Sequence, residues 1–439
     1  MNPALMTVLL FAFLLMLLVL GLPLAFCFGS VAIIFMIWQW GPQALFTVAT
    51  TAFGEWNNFI LIAVPLFILM ANLLERSGVA EDLYEMMYRW MGPLRGGLAM
   101  GTIVICAIFA AMAGISAVAT VTMGLIALPS MLKRGYDRLI AVGCVSAGGT
   151  LGILIPPSVI MILYASLTGT SVGKLFMGGV FPGILVAVLF IAYIGIRCFI
   201  QPHLGPPVSK EERYSWAQKL VSLRAVIAPI ILILLVLGVI YFGVCTPTEA
   251  AGIGAFGSLV VLFINRRFTW TVFTDSLTRT CRLSAMVMWI LLGAKTFSHV
   301  YMALGASEMV YNLLSGLEIN RWFFVIGMQL ILFIMGFFMD PAGIIMICTP
   351  VFVPLITRLG FDPIWFGILF TINMELGYVT PPFGFNLFYM KGLAGPMGVS
   401  MEDIYRSIVP FVILEILGLA IIMVFPQLAV WLPQRMIGG

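Results

Sequence analysis

Charge is what this sequence has least of. Only 9% of its 439 residues are Asp, Glu, Lys or Arg, against 62% that are hydrophobic. That leaves too little polar surface to cover a water-soluble globule of this size. Histidine is nearly absent, with His203 and His299 alone. The seven cysteines (Cys27, Cys106, Cys144, Cys198, Cys245, Cys281 and Cys348) are scattered singly, without a Cys-x-x-Cys or a histidine at ligand spacing. They read as small apolar residues. No Ser/His/Asp arrangement or metal-ligand cluster is visible, so hydrolytic and metal chemistry lack their apparatus and an enzyme is not expected.

What is abundant is apolar length. Runs such as Ala4 to Leu20, Asn58 to Leu74, Phe181 to Ile196, Ala225 to Val244 and Pro410 to Val424 are long enough, as helices, to cross or nearly cross a hydrocarbon core of about 30 Å. They predict an all-α protein whose solvent is the lipid bilayer, with no nucleic-acid partner. The first run has no basic leader and no small-residue cleavage site before the next apolar stretch, so it reads as a retained helix. Trp38, Trp40, Trp56, Trp322 and Trp431, near span ends, read as interface anchors.

The chain repeats itself. Leu132-Lys-Arg-Gly-Tyr-Asp137 pairs with Ile356-Thr-Arg-Leu-Gly-Phe-Asp362 through Gly135/Gly360 and Asp137/Asp362. Gly152 with Pro156-Pro157 pairs with Gly377 and Pro381-Pro382, and Pro129 pairs with Pro354, all at an offset of 225 residues. Gly78 and Glu81 match Gly305 and Glu308 after a slip of two. The expected organisation is a first repeat over 1–200, a cytoplasmic linker over 201–224 and a second repeat over 225–432. Each repeat reads as three apolar helices, a charged amphipathic connector, a segment with two short apolar arms, and a helix that cannot be continuous.

The two-armed segments lie at about 96–133 and 321–357, turning at Ala113-Gly114-Ile115-Ser116 and at Met339-Asp340-Pro341. Each is either two crossings or a re-entrant hairpin, and charge separates the alternatives. With two hairpins and an external amino terminus, one side holds Arg76, Arg89, Arg95, Lys133, Arg134, Arg138, Arg197, Lys210, Arg213, Lys219, Arg224, Arg266, Arg267, Arg279, Arg282, Lys391 and Arg406. The other holds only Lys174, Arg321, Arg358 and Arg435. That asymmetry favours hairpins and about five spanning helices per repeat. An odd number of crossings turns the second repeat upside down, the inverted plan of secondary transporters.

The discontinuous helices are expected over about 138–168 and 363–392, because Pro-Pro removes amide donors and clashes with the preceding turn. Irregular backbone at membrane depth survives only where protein buries it or where it lines a polar cavity. Freed carbonyls with Ser, Thr, Asn and Asp oxygens suit a hard cation such as sodium, and half-helix amino termini attract a carboxylate. Site one is read as Gly114, Ser116, Gly148, Gly149, Thr150, Gly152, Pro156 and Pro157. Site two is read as Asp340, Pro341, Asn373, Gly377, Thr380 and Pro381. Ser116, Thr120, Ser158 and Asn386 are candidate substrate contacts. Competing structural roles stand beside these: a kink at each Pro-Pro, an amino-terminal cap for Asp340, a neighbouring partner for Glu375, and interhelical glue for Asn373 and Asn386. Lys295 and His299, one turn apart, either meet a substrate carboxylate or simply pack and snorkel.

Six stretches in order carry a family resemblance: Lys133-Arg-Gly-Tyr136, Gly148-Gly-Thr-Leu-Gly-Ile-Leu-Ile-Pro-Pro-Ser158, Leu167-Thr-Gly-Thr-Ser171, Cys245-Thr-Pro-Thr-Glu-Ala-Ala-Gly-Ile-Gly254, Phe338-Met-Asp-Pro341 and Leu376-Gly-Tyr-Val-Thr-Pro-Pro-Phe-Gly-Phe-Asn-Leu-Phe388. The chain resembles, over essentially its whole length, the large membrane subunit of tripartite ATP-independent periplasmic (TRAP) transporters. The resemblance implies an elevator-type sodium symporter in the bacterial inner membrane, with a periplasmic amino terminus. It implies two partners, a small four-helix membrane subunit and a periplasmic substrate-binding protein that delivers an organic acid, and Na+ as coupling ion with no organic cofactor. The family's sodium-site regions fall on the two tips and two breaks already named. Asn373-Met-Glu375-Leu-Gly377 departs from the pattern expected of sialic-acid and C4-dicarboxylate members, so their substrates are not carried over. The alternative is a self-sufficient divalent-anion/sodium symporter.

Overall fold

Helix is the only regular structure among the described residues of the computed structural model, which are 3–306, 308–309, 320–382 and 384–437. The first half runs through α1 (Pro3–Val19), α2 (Leu24–Trp40), α3 (Phe46–Trp56), α4 (Ala63–Glu75), α5 (Val79–Met91), α6 (Gly97–Ala113), α7 (Ser116–Lys133), α8 (Arg138–Leu154), α9 (Val159–Thr168) and α10 (Val172–Ile200). Then follow α11 (Trp216–Tyr241), α12 (Pro247–Ile264), α13 (Trp270–Ala303), α14 (Arg321–Gly336), α15 (Pro341–Arg358), α16 (Pro363–Val379), α17 (Phe385–Ala394), α18 (Met401–Val424) and α19 (Gln427–Gln434). Among the described residues, eight helices are long and apolar enough to cross a membrane, with α8 and α9 counted together as Arg138–Thr168. Large apolar side chains such as Val19, Phe199 and Ile264 stand exposed on the outer surface, as lipid-facing positions should. The all-α membrane fold expected from composition is the fold observed. The charged connector expected in the second half, and Phe383 of the last motif, lie largely or wholly outside the described residues.

The repeated Gly/Asp motif has a local reason. At the end of α7, Gly135 takes φ +76°, its N–H donates to Leu132 O (3.1 Å) and Tyr136 N–H donates to Met131 O (3.1 Å). At the end of α15, Gly360 takes φ +78°, donating to Thr357 O, while Phe361 N–H donates to Ile356 O (3.1 Å each). Both are Schellman ends, which need a residue free to enter the left-handed region. Two residues later Asp137 Oδ1 accepts from Leu139 and Ile140 N–H, and Asp362 Oδ1 accepts from Ile364 and Trp365 N–H. Each aspartate starts the next helix by satisfying its first amides. The motif therefore stops one helix and starts another, so that α7–α8 and α15–α16 turn alike.

The first half also carries a short helix of mixed composition, α3. α3 precedes the span over 58–74 and meets it at a 58° bend, where Asn57 ends α3 and the Asn58 side chain accepts from Ile60 N–H. At the 225-residue offset the second half has no such cap, and α13 runs unbroken for 34 residues.

The two discontinuous helices form the interior. α8 is buried along Ile140–Leu154, and α16 from Trp365 through Gly377. Small residues let other helices lie directly on them. α14 approaches α16 so closely that a Cβ on Gly336 would fall 2.9 Å from the Gly377 Cα. We expect Gly336→Ala to force α14 outward and cost about 1–3 kcal/mol, read as a lower melting temperature of the purified protein. An unchanged melting temperature would mean that these helices do not pack so closely.

Candidate functional site

The tip of α6–α7 rests on the break between α8 and α9. Gly114 ends α6 in the left-handed region, φ +66°, and a Cβ there would collide with the Pro157 carbonyl oxygen. Gly152 completes the contact from the other side, since its Cβ would lie 3.1–3.2 Å from Ile115 C and Ser116 N. Gly148 faces Cys106 on α6, and Gly149 faces the Thr120 side chain on α7. Pro156–Pro157 is a cis peptide, and the Ser158 hydroxyl donates to Ile153 O across it (2.5 Å). Ser116, buried at the start of α7, donates to Asn386 Oδ1 (3.0 Å), and Asn386 Nδ2 donates to Ser146 O on α8 (3.1 Å). Thus α17 of the second half reaches into the first-half junction, and the candidate substrate contacts Ser116 and Asn386 come together. Thr120 is fully buried, and its hydroxyl has no hydrogen-bond partner among the described residues.

The second junction is built from the same parts. α14 ends at Gly336 against Gly377, and the chain turns through Phe337–Asp340 into α15. Asp340 Oδ2 accepts from Ala342 N–H (3.2 Å) and Pro341 occupies the first helical position, so the capping role holds geometrically. Asp340, Tyr378, Phe385 and Tyr389 also face a cleft of about 730 Å³ closed on the other side by α2 and α13 residues, including Ser30, Trp289 and Thr296. Pro381–Pro382 is cis. Thr380 Oγ1 donates to Leu376 O (2.6 Å), and Tyr405 OH on α18 donates to Pro382 O (3.2 Å).

Several named residues are engaged elsewhere. Asn373 Nδ2 donates to Gln329 O and Oε1 on α14 (3.0 and 2.8 Å), two turns short of the tip, which is the interhelical-glue geometry. The Thr150 hydroxyl lies 2.7 Å from Ala147 O, 3.0 Å from Glu375 Oε1 and 3.4 Å from Glu415 Oε1. Lys295 pairs with Glu55 on α3 (3.3 Å) and donates to Ser166 O (2.9 Å), while His299 Nδ1 lies 3.0 Å from Thr51 Oγ1. Both side chains thus fasten α13 to α3, and Lys295 also fastens it to the end of α9. Glu415, Gln329, Ser146 and Glu55 were missed in the sequence. For Glu415 the signal was present, an acid in the middle of an apolar span.

The hydroxyls at both junctions share a property. Ser116, Ser158 and Thr380 each spend their one proton on a protein acceptor, which leaves oxygen lone pairs available to a cation. Half-helix amino termini at α9 and α17 supply the opposite polarity beside them.

Comparison with known proteins agrees with this architecture. The family "Tripartite ATP-independent periplasmic transporter, DctM component" matches residues 11–428. The C4-dicarboxylate TRAP transporter large permease protein DctM of Pseudomonas aeruginosa is 34% identical over 90% of both chains. The ectoine/5-hydroxyectoine TRAP transporter large permease protein UehC of Ruegeria pomeroyi is 32% identical over 85% of both. The crystal structure of the Alcanivorax borkumensis YdaH transporter matches with a TM-score of 0.67 over 97% of this chain and 100% of that one. At 15% identity that likeness is one of fold. A membrane-spanning helical chain with two broken helices at its centre, matched along nearly all of its length, belongs to the DctM component of the TRAP transporters and is a transport protein, not an enzyme.

Proposed function

We propose that this chain couples sodium entry to uptake of a small organic acid that a periplasmic binding protein delivers, with a small four-helix membrane subunit as its second partner. The two junctions are the two sodium sites, and the chain works as an inverted repeat in the bacterial inner membrane with its amino terminus in the periplasm. The hairpins and broken helices move together as an elevator against the remaining helices. The observation that carries this reading is the contact of the first tip with its Pro-Pro break, Gly114 on the Pro157 carbonyl, with its counterpart in the second half the meeting of α14 and α16 at Gly336 and Gly377, four residues before Pro381. There hydroxyl lone pairs and carbonyl oxygens gather at membrane-buried backbone that nothing but protein or a bound ion can satisfy. The cleft beside Asp340 gives the second junction a path for solute. The names of the two relatives give different solutes, so they support the transport class without choosing among acids.

The test is uptake by proteoliposomes carrying this chain and its membrane partner, with the binding protein outside and an inward sodium gradient imposed. Accumulation should require both the gradient and the binding protein. Asp340→Asn keeps the cap, because Asn caps a helix about as well as Asp, but removes the charge. It should therefore fold normally and need several-fold more sodium for half-maximal uptake. Equal uptake without sodium would overturn the coupling. Uptake without the binding protein would favour the self-sufficient symporter, and a wild-type sodium dependence in Asp340→Asn would remove that carboxylate from the site.

A further inference from the structure

The cleft beside Asp340 has a mostly apolar wall. At about 730 Å³ it is of the size that encloses a whole small-molecule ligand. Five aromatic side chains face it: Phe26 from α2, Trp289 from α13, Tyr378 from α16, and Phe385 and Tyr389 from α17. Ile33, Met286 and Ile290 add aliphatic surface. Trp289 and Met286 stand exposed, so protein does not fill the space between the walls.

Positive charge is missing from this lining. Asp340 is the one charged side chain among the described residues that line the cleft, and no lysine, arginine or histidine joins it. Two bases lie close in sequence and are engaged elsewhere. Lys295, next to Thr296 of the lining, pairs with Glu55 (3.3 Å) and donates to Ser166 O (2.9 Å). Lys391, two residues past Tyr389, donates to Val399 O (3.0 Å). The neutral polar groups are the hydroxyls of Ser30, Thr296, Tyr378 and Tyr389, and Thr296 gives its proton to Leu292 O (2.8 Å).

The number of carboxylates such a cleft can hold follows from its charges. A carboxylate at membrane depth needs donors or a cation to replace its water. One carboxylate finds hydroxyl donors at Ser30, Tyr378 and Tyr389, and the positive end of α17, whose first residue, Phe385, faces the cleft. A second carboxylate would meet no cation. It would stand against aromatic faces, which are negative, or beside Asp340. The remaining wall stabilises a ligand only by burying apolar surface, which requires the ligand to carry an apolar body.

We propose that the solute of this transporter is a monocarboxylate with an uncharged apolar body, aromatic or branched aliphatic, and that the cleft rejects dicarboxylates because it offers no side-chain cation to a second carboxylate. This rests on the reading of the chain as a sodium-coupled carrier of organic acids, and it narrows the acid. Sodium at the second junction answers the charge of Asp340, and the solute brings one negative charge to the start of α17. Its body lies against Phe26, Trp289 and Tyr389.

Cysteine protection on the purified chain assembled with its membrane partner, without the binding protein, tests the cleft apart from delivery. Ser30→Cys places a thiol on one wall and Met286→Cys places one on the other. Each is made in a background with Cys245→Ser and Cys281→Ser, because the other five cysteines are buried. In sodium, 3-phenylpropanoate and 4-methylpentanoate should each slow maleimide labelling several-fold. Succinate and the neutral 3-phenylpropan-1-ol, at equal concentrations, should not. Slowing by succinate as strong as that by the monocarboxylates would overturn the proposal while leaving organic-acid transport standing. So would equal slowing by the alcohol, which would make the cleft a mere apolar surface, or an absence of slowing by both monocarboxylates. Slowing by the monocarboxylates alone that persists in potassium would support the solute class and count against sodium coupling, so the two readings fail separately. If one cysteine variant does not fold, the other carries the same comparison from the opposite wall.

Discussion

Everything in this molecule is arranged around one constraint: hydrocarbon offers no water to a backbone group that has lost its helical partner. Two Pro-Pro pairs break two helices in the most deeply buried part of the chain, and every other feature of the interior answers that cost. Ser158 stitches the first break to Ile153 O, Thr380 stitches the second to Leu376 O, and Tyr405 reaches across from α18 to Pro382 O. The first tip then closes over its break, at Gly114 because no side chain fits against Pro157 O, and in the second half α14 meets α16 at Gly336 and Gly377 because no Cβ fits between them. A protein selected only for stability would have kept these helices whole. The breaks persist where oxygen atoms and helix ends are worth having at membrane depth, which is the condition for binding an ion and a charged solute.

The same constraint explains why so much of the fold was legible in the sequence. Membrane depth writes itself as long apolar runs, and a broken membrane helix announces itself as Gly and Pro-Pro inside one. The Gly/Asp motifs were visible as repeats before their work was known. In the structure they are a left-handed helix end followed by an aspartate cap, Gly135 with Asp137 and Gly360 with Asp362. Local chemistry of that kind depends on neighbours within a turn or two, so the sequence order carries it.

What stayed hidden depends on which residues meet across the bundle. Asn373 reads equally well as a site residue or as glue until Gln329 is found opposite it. Thr150 and Glu375 could be matched by number, but that they touch, and that Glu415 joins them, follows from the packing of α8, α16 and α18. The arm helix α3 escaped because its eleven residues carry a mixed pattern with no long apolar run. Its purpose appears only when Glu55 is seen against Lys295 on α13.

The claim at the centre of this account is that both junctions hold sodium. Hydrogen–deuterium exchange on the assembled transporter, in sodium against potassium at equal ionic strength, reads the two junctions at once, because an ion bound to their oxygens suppresses the opening that exchange requires. Sodium should slow exchange specifically in 113–117 with 153–158 and in 336–342 with 376–382, while α3 and α12 remain as they were. Exchange that is identical in the two salts at both junctions would contradict the account.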